Sequence, residues 1–317
     1  MNKRIIMLVA SLACLAAGAS YAQDYLRYPS VTMPDEDRGT PGVDYRQMYK
    51  TANIKTELAR EHLPHVLDLK YGEDPKQRLD IYTPAKKPSG APVFLFIHGG
   101  GGEEGDRAHY GYIAAPLASH GIVTAFPSYR LVGTEPGNKI NYAEQEADIK
   151  AAIVWLYRNV ARYGGDPNRI YVGGHSFGGQ LAANLGVDRK WLSSAGIPTS
   201  IIPGIAAISG GFHRPPSEGP GAPGEFPTPS TWQSPVSHIA DAAPYFVLAG
   251  GQKEIEMTGS FLSTADIEHF KSALESHGVH AVTAVQPAAD HAEAVLALAD
   301  EHSPQTQAIL RMIAAPR

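Results

Sequence analysis

The first residues with chemical promise are Gly174-His175-Ser176-Phe177-Gly178, a G-x-S-x-G sequence behind an apolar run at 170–172 and ahead of a segment, 180–185, with helical character. A serine on a sharp strand-to-helix turn occupies strained backbone space, and flanking glycines relieve crowding where strand and helix nearly touch. Such a turn lifts the hydroxyl above the carboxyl edge of a sheet. It also puts the N–H of Phe177 at a helix N-terminus, where the dipole favours negative charge. The implied chemistry is an oxygen nucleophile with an oxyanion site beside it, although the five residues alone also fit a glycine-rich turn with an incidental serine.

A second motif makes the first specific. His98-Gly99-Gly100-Gly101-Gly102 follows the apolar run 93–97, and glycines there let backbone N–H groups, those of Gly100 and Gly101, join that of Phe177 on a substrate oxyanion. A serine hydroxyl also needs a base, and the base needs a carboxylate to hold its tautomer. Of the 13 histidines, His291 follows the last apolar run, in "VQPAADHAEAV", which brings it to the same sheet edge as Ser176. The chain order Ser, acid, His sets the acid in the loop after "YFVLAGG". Glu254, three residues past Gly251, is the candidate, with Glu256 in reserve. Asp290 is too close in sequence to swing round to the Nδ1 of His291, and His175 is expected to pack or cap.

These residues need a sheet to position them. "HVLDLKY" and "RLDIYTP" alternate with period two, which suits an antiparallel pair at a sheet edge. "PVFLFIH", "GIVTAFPS", "RIYVGG", "GIAAIS", "YFVLAGG" and "HAVTAVQP" are short, mostly apolar runs. Helical patterns separate them; the clearest carries Ile149, Ala152, Ile153, Leu156 and Val160 at helical spacing. Continuous apolar strands alternating with helices predict an α/β fold, a mostly parallel sheet covered on both faces.

With 317 residues, 43 % of them hydrophobic, the chain can bury one large core, and its net charge of −5 gives no basic surface for nucleic acid. The N-terminus has a positive start at Lys3 and Arg4, an apolar stretch over 5–17 and a small-x-small site at Ser20-Tyr21-Ala22. That is the pattern of a secretory signal removed after Ala22, with an apolar stretch too short to span a membrane. The protein is thus expected in the periplasm or secreted, with no membrane span once processed. The single cysteine, Cys14, lies inside that stretch, so the processed chain would have no thiol. Residues 23–63 read as an N-terminal arm with one helix near 45–62, and 64–317 as the main domain.

Taken together these residues resemble the α/β-hydrolase fold, and within it the carboxylesterases grouped with hormone-sensitive-lipase-like, feruloyl-esterase-like and kynurenine-formamidase-like enzymes. The resemblance runs from Tyr71 to His291 and is densest at "YGEDPKQRLDIYTP", at "HGGGG" and at "DIKAAIVWLYRNVARYGGDPNRIYVGGHSFGG". It implies a central sheet of eight strands, Ser176 as nucleophile, His291 as base, Glu254 as orienting acid, and Gly100, Gly101 and Phe177 as oxyanion donors. Two features depart from the family pattern. The acid is usually an aspartate, and an aromatic often follows the glycines where this chain has Glu103 and Glu104, read as a solvated loop that would repel an anionic substrate if it faced the pocket.

The Pro- and Gly-rich segment 210–239 is long for a connection within a domain, which suits a lid near the site. Its Phe212, Phe226 and Trp232 are candidates to line an acyl or aryl pocket, or to staple the loop to the body. There is no HExxH metal motif and no dinucleotide fingerprint, so neither metal nor cofactor is expected. The reading is an exported serine hydrolase of small-molecule carboxylic esters. Amide hydrolysis, whether of a formamide or a peptide, is the alternative, and a non-catalytic binding module on the same fold is a third reading. The elbow also resembles that of prolyl-oligopeptidase-like peptidases, whose extra domain this length cannot hold.

Overall fold

Each apolar run becomes a strand. The structure, a computed structural model, describes residues 43–86, 88–133, 138–212, 234–256 and 262–316, all within one compact unit, Pro34–Arg317. The expected signal over 1–22 with Cys14, the arm up to residue 42, Phe226 and Trp232 lie outside the described residues. The strands are β1 (His65–Lys70), β2 (Arg78–Tyr82), β3 (Ala91–Ile97), β4 (Val123–Pro127), β5 (Gly165–His175), β6 (Gly204–Ile208), β7 (Tyr245–Gly251) and β8 (His280–Gln286). They form one sheet in the order β1-β2-β4-β3-β5-β6-β7-β8. β2 runs antiparallel to both β1 and β4, and the remaining pairs are parallel. The alternating pair therefore sits at one edge, as its pattern predicts; the apolar strands β3 to β7 lie inside, and β8 forms the opposite edge.

The helices are α1 (Tyr45–His62), α2 (Ala114–Ser119), α3 (Tyr142–Asn159), α4 (Phe177–Val187), α5 (Lys190–Ser194), α6 (Gln252–Glu256), α7 (Thr264–Ser276), α8 (His291–Leu296) and α9 (Pro304–Ala314). They cover both faces of the sheet. Val93, Leu95 and Ile97 of β3 join an apolar layer with Ile149, Ile153 and Leu156 of α3 and Leu181 and Leu185 of α4. Each fully buried side chain of this kind contributes about 1.5–3 kcal/mol. The alternate residues Phe94 and Phe96 point the other way, and the Tyr110 ring lies 5.6 Å from that of Phe96. Tyr171 also faces that side and donates its hydroxyl to Ile313 O of α9 at 3.2 Å.

α1, the helix expected near 45–62, is capped by Asp44, whose side chain accepts from Gln47 N. It buries Met48, Tyr49, Ala52, Thr56 and Ala59, and the Thr56 hydroxyl donates to His109 O at 3.1 Å, so the helix packs against the main domain. The segment after β7, read as a loop, is the short helix α6.

Candidate active site

The elbow forms because strand and helix meet at van der Waals distance. A Cβ at Gly174 would collide with the carbonyl oxygen of Gly178, and one at Gly178 with that of Ile97. Between them Ser176 holds φ 55° and ψ −124°, a region L residues reach at a cost and one associated with functional sites. Its N–H donates to Ile208 O at 2.8 Å, which fixes the turn to the end of β6. Phe177 opens α4, so its amide is among the first-turn donors that no intrahelical carbonyl can satisfy.

The ends of β7 and β8 bring a carboxylate to a histidine. His291 Nδ1 lies 2.5 Å from Glu254 Oε1, and the two residues are 2 % and 3 % exposed. A carboxylate accepts, so Nδ1 donates and Nε2 keeps the lone pair a base requires. The α6 helix separates the two candidate acids, because a two-residue step on a helix turns to a different side. Glu254 is buried, whereas Glu256 is exposed and accepts from Gln252 Nε2 at 3.0 Å. Asp290 is committed elsewhere: it caps α8, accepting from Glu293 N at 2.8 Å, while Glu293 accepts in return from Asp290 N at 2.9 Å. Glu254 Oε2 accepts from the Ser209 hydroxyl at 2.8 Å and from Gly251 N at 3.3 Å.

His175 has a partner in this group. Its ring centroid lies 4.5 Å from that of His291, and its Nε2–H donates to His291 O at 2.9 Å. Burial holds His175 well below the usual histidine range, an effect strengthened by the neighbouring His291, so it is neutral at pH 7. It therefore packs, as expected, and also ties the elbow to the main chain of the base.

The glycine loop after β3 lies against the elbow, since a Cβ at Gly99 would sit 3.0 Å from Ser176 Cβ. Gly100, Gly101 and Gly102 have φ of 107°, 62° and 79°. The amides of Glu103 and Glu104 both donate to Gly100 O at 3.0 Å, closing the turn. Gly102 O accepts from Val132 N at 2.8 Å and from Gln145 Nε2 at 2.6 Å. His98 donates from Nδ1 to Gly99 O at 2.8 Å and stacks on Tyr129 with 4.3 Å between centroids; Tyr129 Oη donates to His98 O at 3.0 Å. Burial pushes His98 down to about 4, so it too is neutral. Glu103 is exposed and Glu104 half-buried.

Phe212 stacks on Phe270 at 4.9 Å within the apolar layer and is fully buried. Three residues beside the site escaped the sequence reading: Tyr45, whose ring meets that of His291 edge-on at 6.3 Å, Ser209 and Gln145. Gln145 left a signal, since it interrupts the apolar stripe of α3 one turn before Ile149, and Ser209 left another as a hydroxyl closing an apolar strand. Tyr45 left none. Among the described residues no group of His, Cys, Asp and Glu could hold a metal ion.

Comparison with known proteins agrees with this fold. Residues 79–194 match the BD-FAE family model. The chain is 34 % identical over 147 residues to esterase LipC of Mycobacterium tuberculosis, covering 46 % of this chain and 35 % of that protein. It is 31 % identical over 147 residues to isoprenylcysteine alpha-carbonyl methylesterase ICME of Arabidopsis thaliana, covering 45 % and 33 %. The chain thus spans about one third of the length of these curated relatives. Among solved structures, esterase B from Lactobacillus rhamnosis aligns with a TM-score of 0.60 at 22 % identity, covering 99 % of this chain and 96 % of that one. The hyperthermophilic esterase of Pyrobaculum calidifontis aligns at 0.63 and 18 %, covering 85 % and 92 %. The eight-stranded sheet, the elbow and these alignments agree: the chain has the α/β-hydrolase fold, and residues 79–194 are similar to the BD-FAE family.

Proposed function

We propose that this protein is an exported serine hydrolase that cleaves carboxylic esters through an acyl-enzyme. The observation that carries the reading is the buried Glu254–His291 pair at the sheet edge where Ser176 stands on its strained turn. In the first half-reaction Ser176 Oγ attacks the ester carbonyl carbon and its proton passes to His291 Nε2. Glu254 stabilises the imidazolium through Nδ1, and the amides of Phe177, Gly100 and Gly101 hold the oxyanion. Collapse breaks the bond to the alcohol, which leaves with the proton from His291. Water then attacks the acyl-serine by the same path, its proton going to His291 and returning to Ser176 as the acid departs. The esterase names of the relatives support ester over amide. The kynurenine formamidase of Salmo salar, 27 % identical over 155 residues and 49 % of each chain, keeps formamide hydrolysis as the second reading.

Labelling with a fluorophosphonate probe tests the nucleophile before any substrate is known: wild type should label and Ser176→Ala should not. A panel of esters and formamides of varied acyl length then separates the two readings. Export rests on Lys3, Arg4, the apolar stretch and Ser20-Tyr21-Ala22. N-terminal sequencing of protein recovered outside the cytoplasm should begin at Gln23, and an intact Met1 there would reject cleavage.

A further inference from the structure

Ser209 performs no step of this reaction, yet its setting is unusual for a serine at a strand end. It directly follows β6, is fully buried, and holds φ at +52°. Glycine adopts that conformation freely and a residue with a Cβ does not, so such positions persist where neighbours over-determine them. Two hydrogen bonds do so here. The Ser209 N–H donates to Ala249 O of β7 at 2.7 Å, and its hydroxyl donates to Glu254 Oε2 at 2.8 Å. The preceding residue, Ile208, accepts from Ser176 N. One turn of chain therefore touches the backbone of the nucleophile on one side and the carboxylate of the acid on the other.

The geometry points to Ser209 as a positioning residue for the acid: its hydroxyl sets the roll of the Glu254 carboxylate so that Oε1 stays aligned on His291 Nδ1, and its left-handed backbone aims that hydroxyl. The inference rests on the ester-hydrolase reading and extends it by one residue. The second donor to Oε2, Gly251 N, is at 3.3 Å and lies on the same strand end as the acid, so it cannot set the carboxylate against β6. Without the serine hydroxyl the carboxylate can turn, and the imidazole loses its fixed direction.

Two substitutions separate the hydroxyl from the backbone. Ser209→Ala and Ser209→Gly both delete the hydroxyl, and only the glycine relieves the positive φ. Both should lose about tenfold in kcat on the best ester, by amounts within about threefold of each other, because a hydrogen bond to a charged group has gone. KM should stay within about threefold of wild type, and the glycine variant should melt above the alanine variant. A residue serving stability alone would show the opposite coupling, with activity following melting temperature and the glycine variant the more active. That result, or Ser209→Ala with kcat within about twofold of wild type, overturns the inference. Fluorophosphonate labelling of wild type runs alongside. If wild type neither labels nor hydrolyses esters, the hydrolase reading falls and takes this inference with it; if it does both and the Ser209 variants match it, this inference alone falls.

Discussion

The two halves of the site are built from different materials. On the acid–base side, buried side chains hold one another: Ser209 bonds to Glu254, Glu254 to His291, and His175 to the His291 carbonyl. On the proposed oxyanion side the working groups would be main-chain amides, and side chains grip the loop's carbonyls from behind, as Gln145 does at Gly102, His98 at Gly99 and Tyr129 at His98. A site made of side chains fails when atoms are removed. One made of backbone in left-handed conformations fails when atoms are added.

That contrast is broken most severely at the acid–base side. Ser176→Ala or His291→Ala should each lower kcat on the order of 10⁵-fold or more with the fold intact, because each removes a member of one catalytic unit; near wild-type turnover in either would end the triad assignment. Glu254→Gln should cost about a hundredfold at least, approaching the 10⁴ seen when a triad acid is neutralised. Glu256→Gln should stay within about tenfold of wild type, since its carboxylate is exposed and bonded to Gln252. Steady-state kinetics on one ester measures all four, and a reversed order for the two glutamates would move the acid.

The oxyanion side should show the opposite sensitivity. Gly100→Ala adds one methyl group, at φ 107° and against the backbone of Glu104, so the loop must move. A loss of about 10²–10³ in kcat is expected, the cost of a misplaced oxyanion donor. Gln145→Leu removes a fully buried grip on Gly102 O and Arg130 O. Val132 N remains on Gly102 O, so the drop should be milder, about tenfold in kcat, with melting lowered by the buried carbonyl left short of a donor. Gly100→Ala with wild-type kcat would erase the distinction between the halves.

The same difference explains what the sequence reveals. Ser176, His291 and Glu254 are legible because chemistry restricts which residue types can serve and the parallel sheet restricts where along the chain they fall. The glycine loop is legible because close approach and positive φ leave glycine almost no substitutes. What escapes is whatever acts through packing between distant segments. Tyr45 reaches His291 only because α1 folds back on the body, and nothing local in 45–62 encodes that docking. The helical form of α6 was hidden too, in a span of five residues too short for periodicity to register. Yet that helix is what turns Glu254 inward and Glu256 outward.

The smallest expected effect concerns stability, and it touches both halves. Burial is the main cause that pushes His98 and His109 down to about 4, and it also holds His175 well below its ordinary value. Each is therefore neutral in the folded protein at pH 7, while an unfolded histidine titrates near 6.5. Between about pH 6.5 and about pH 4 the unfolded chain binds more protons than the folded one, so stability rises with pH across that window. The contribution is complete above about 6.5 and is lost progressively as the pH falls towards 4. The melting temperature should hold steady from pH 8 to 7 and then decline on acidification. His109 accounts for part of that slope: its Nδ1 meets Asn53 Oδ1 of α1 at 2.6 Å, and it takes no part in the proposed reaction. His109→Gln should therefore flatten the decline below pH 6 while leaving kcat at pH 8 within about twofold of wild type, as expected for a site apart from the chemistry. An unchanged acid slope in that variant would mean that the other buried histidines, His98 and His175, carry the acid sensitivity instead.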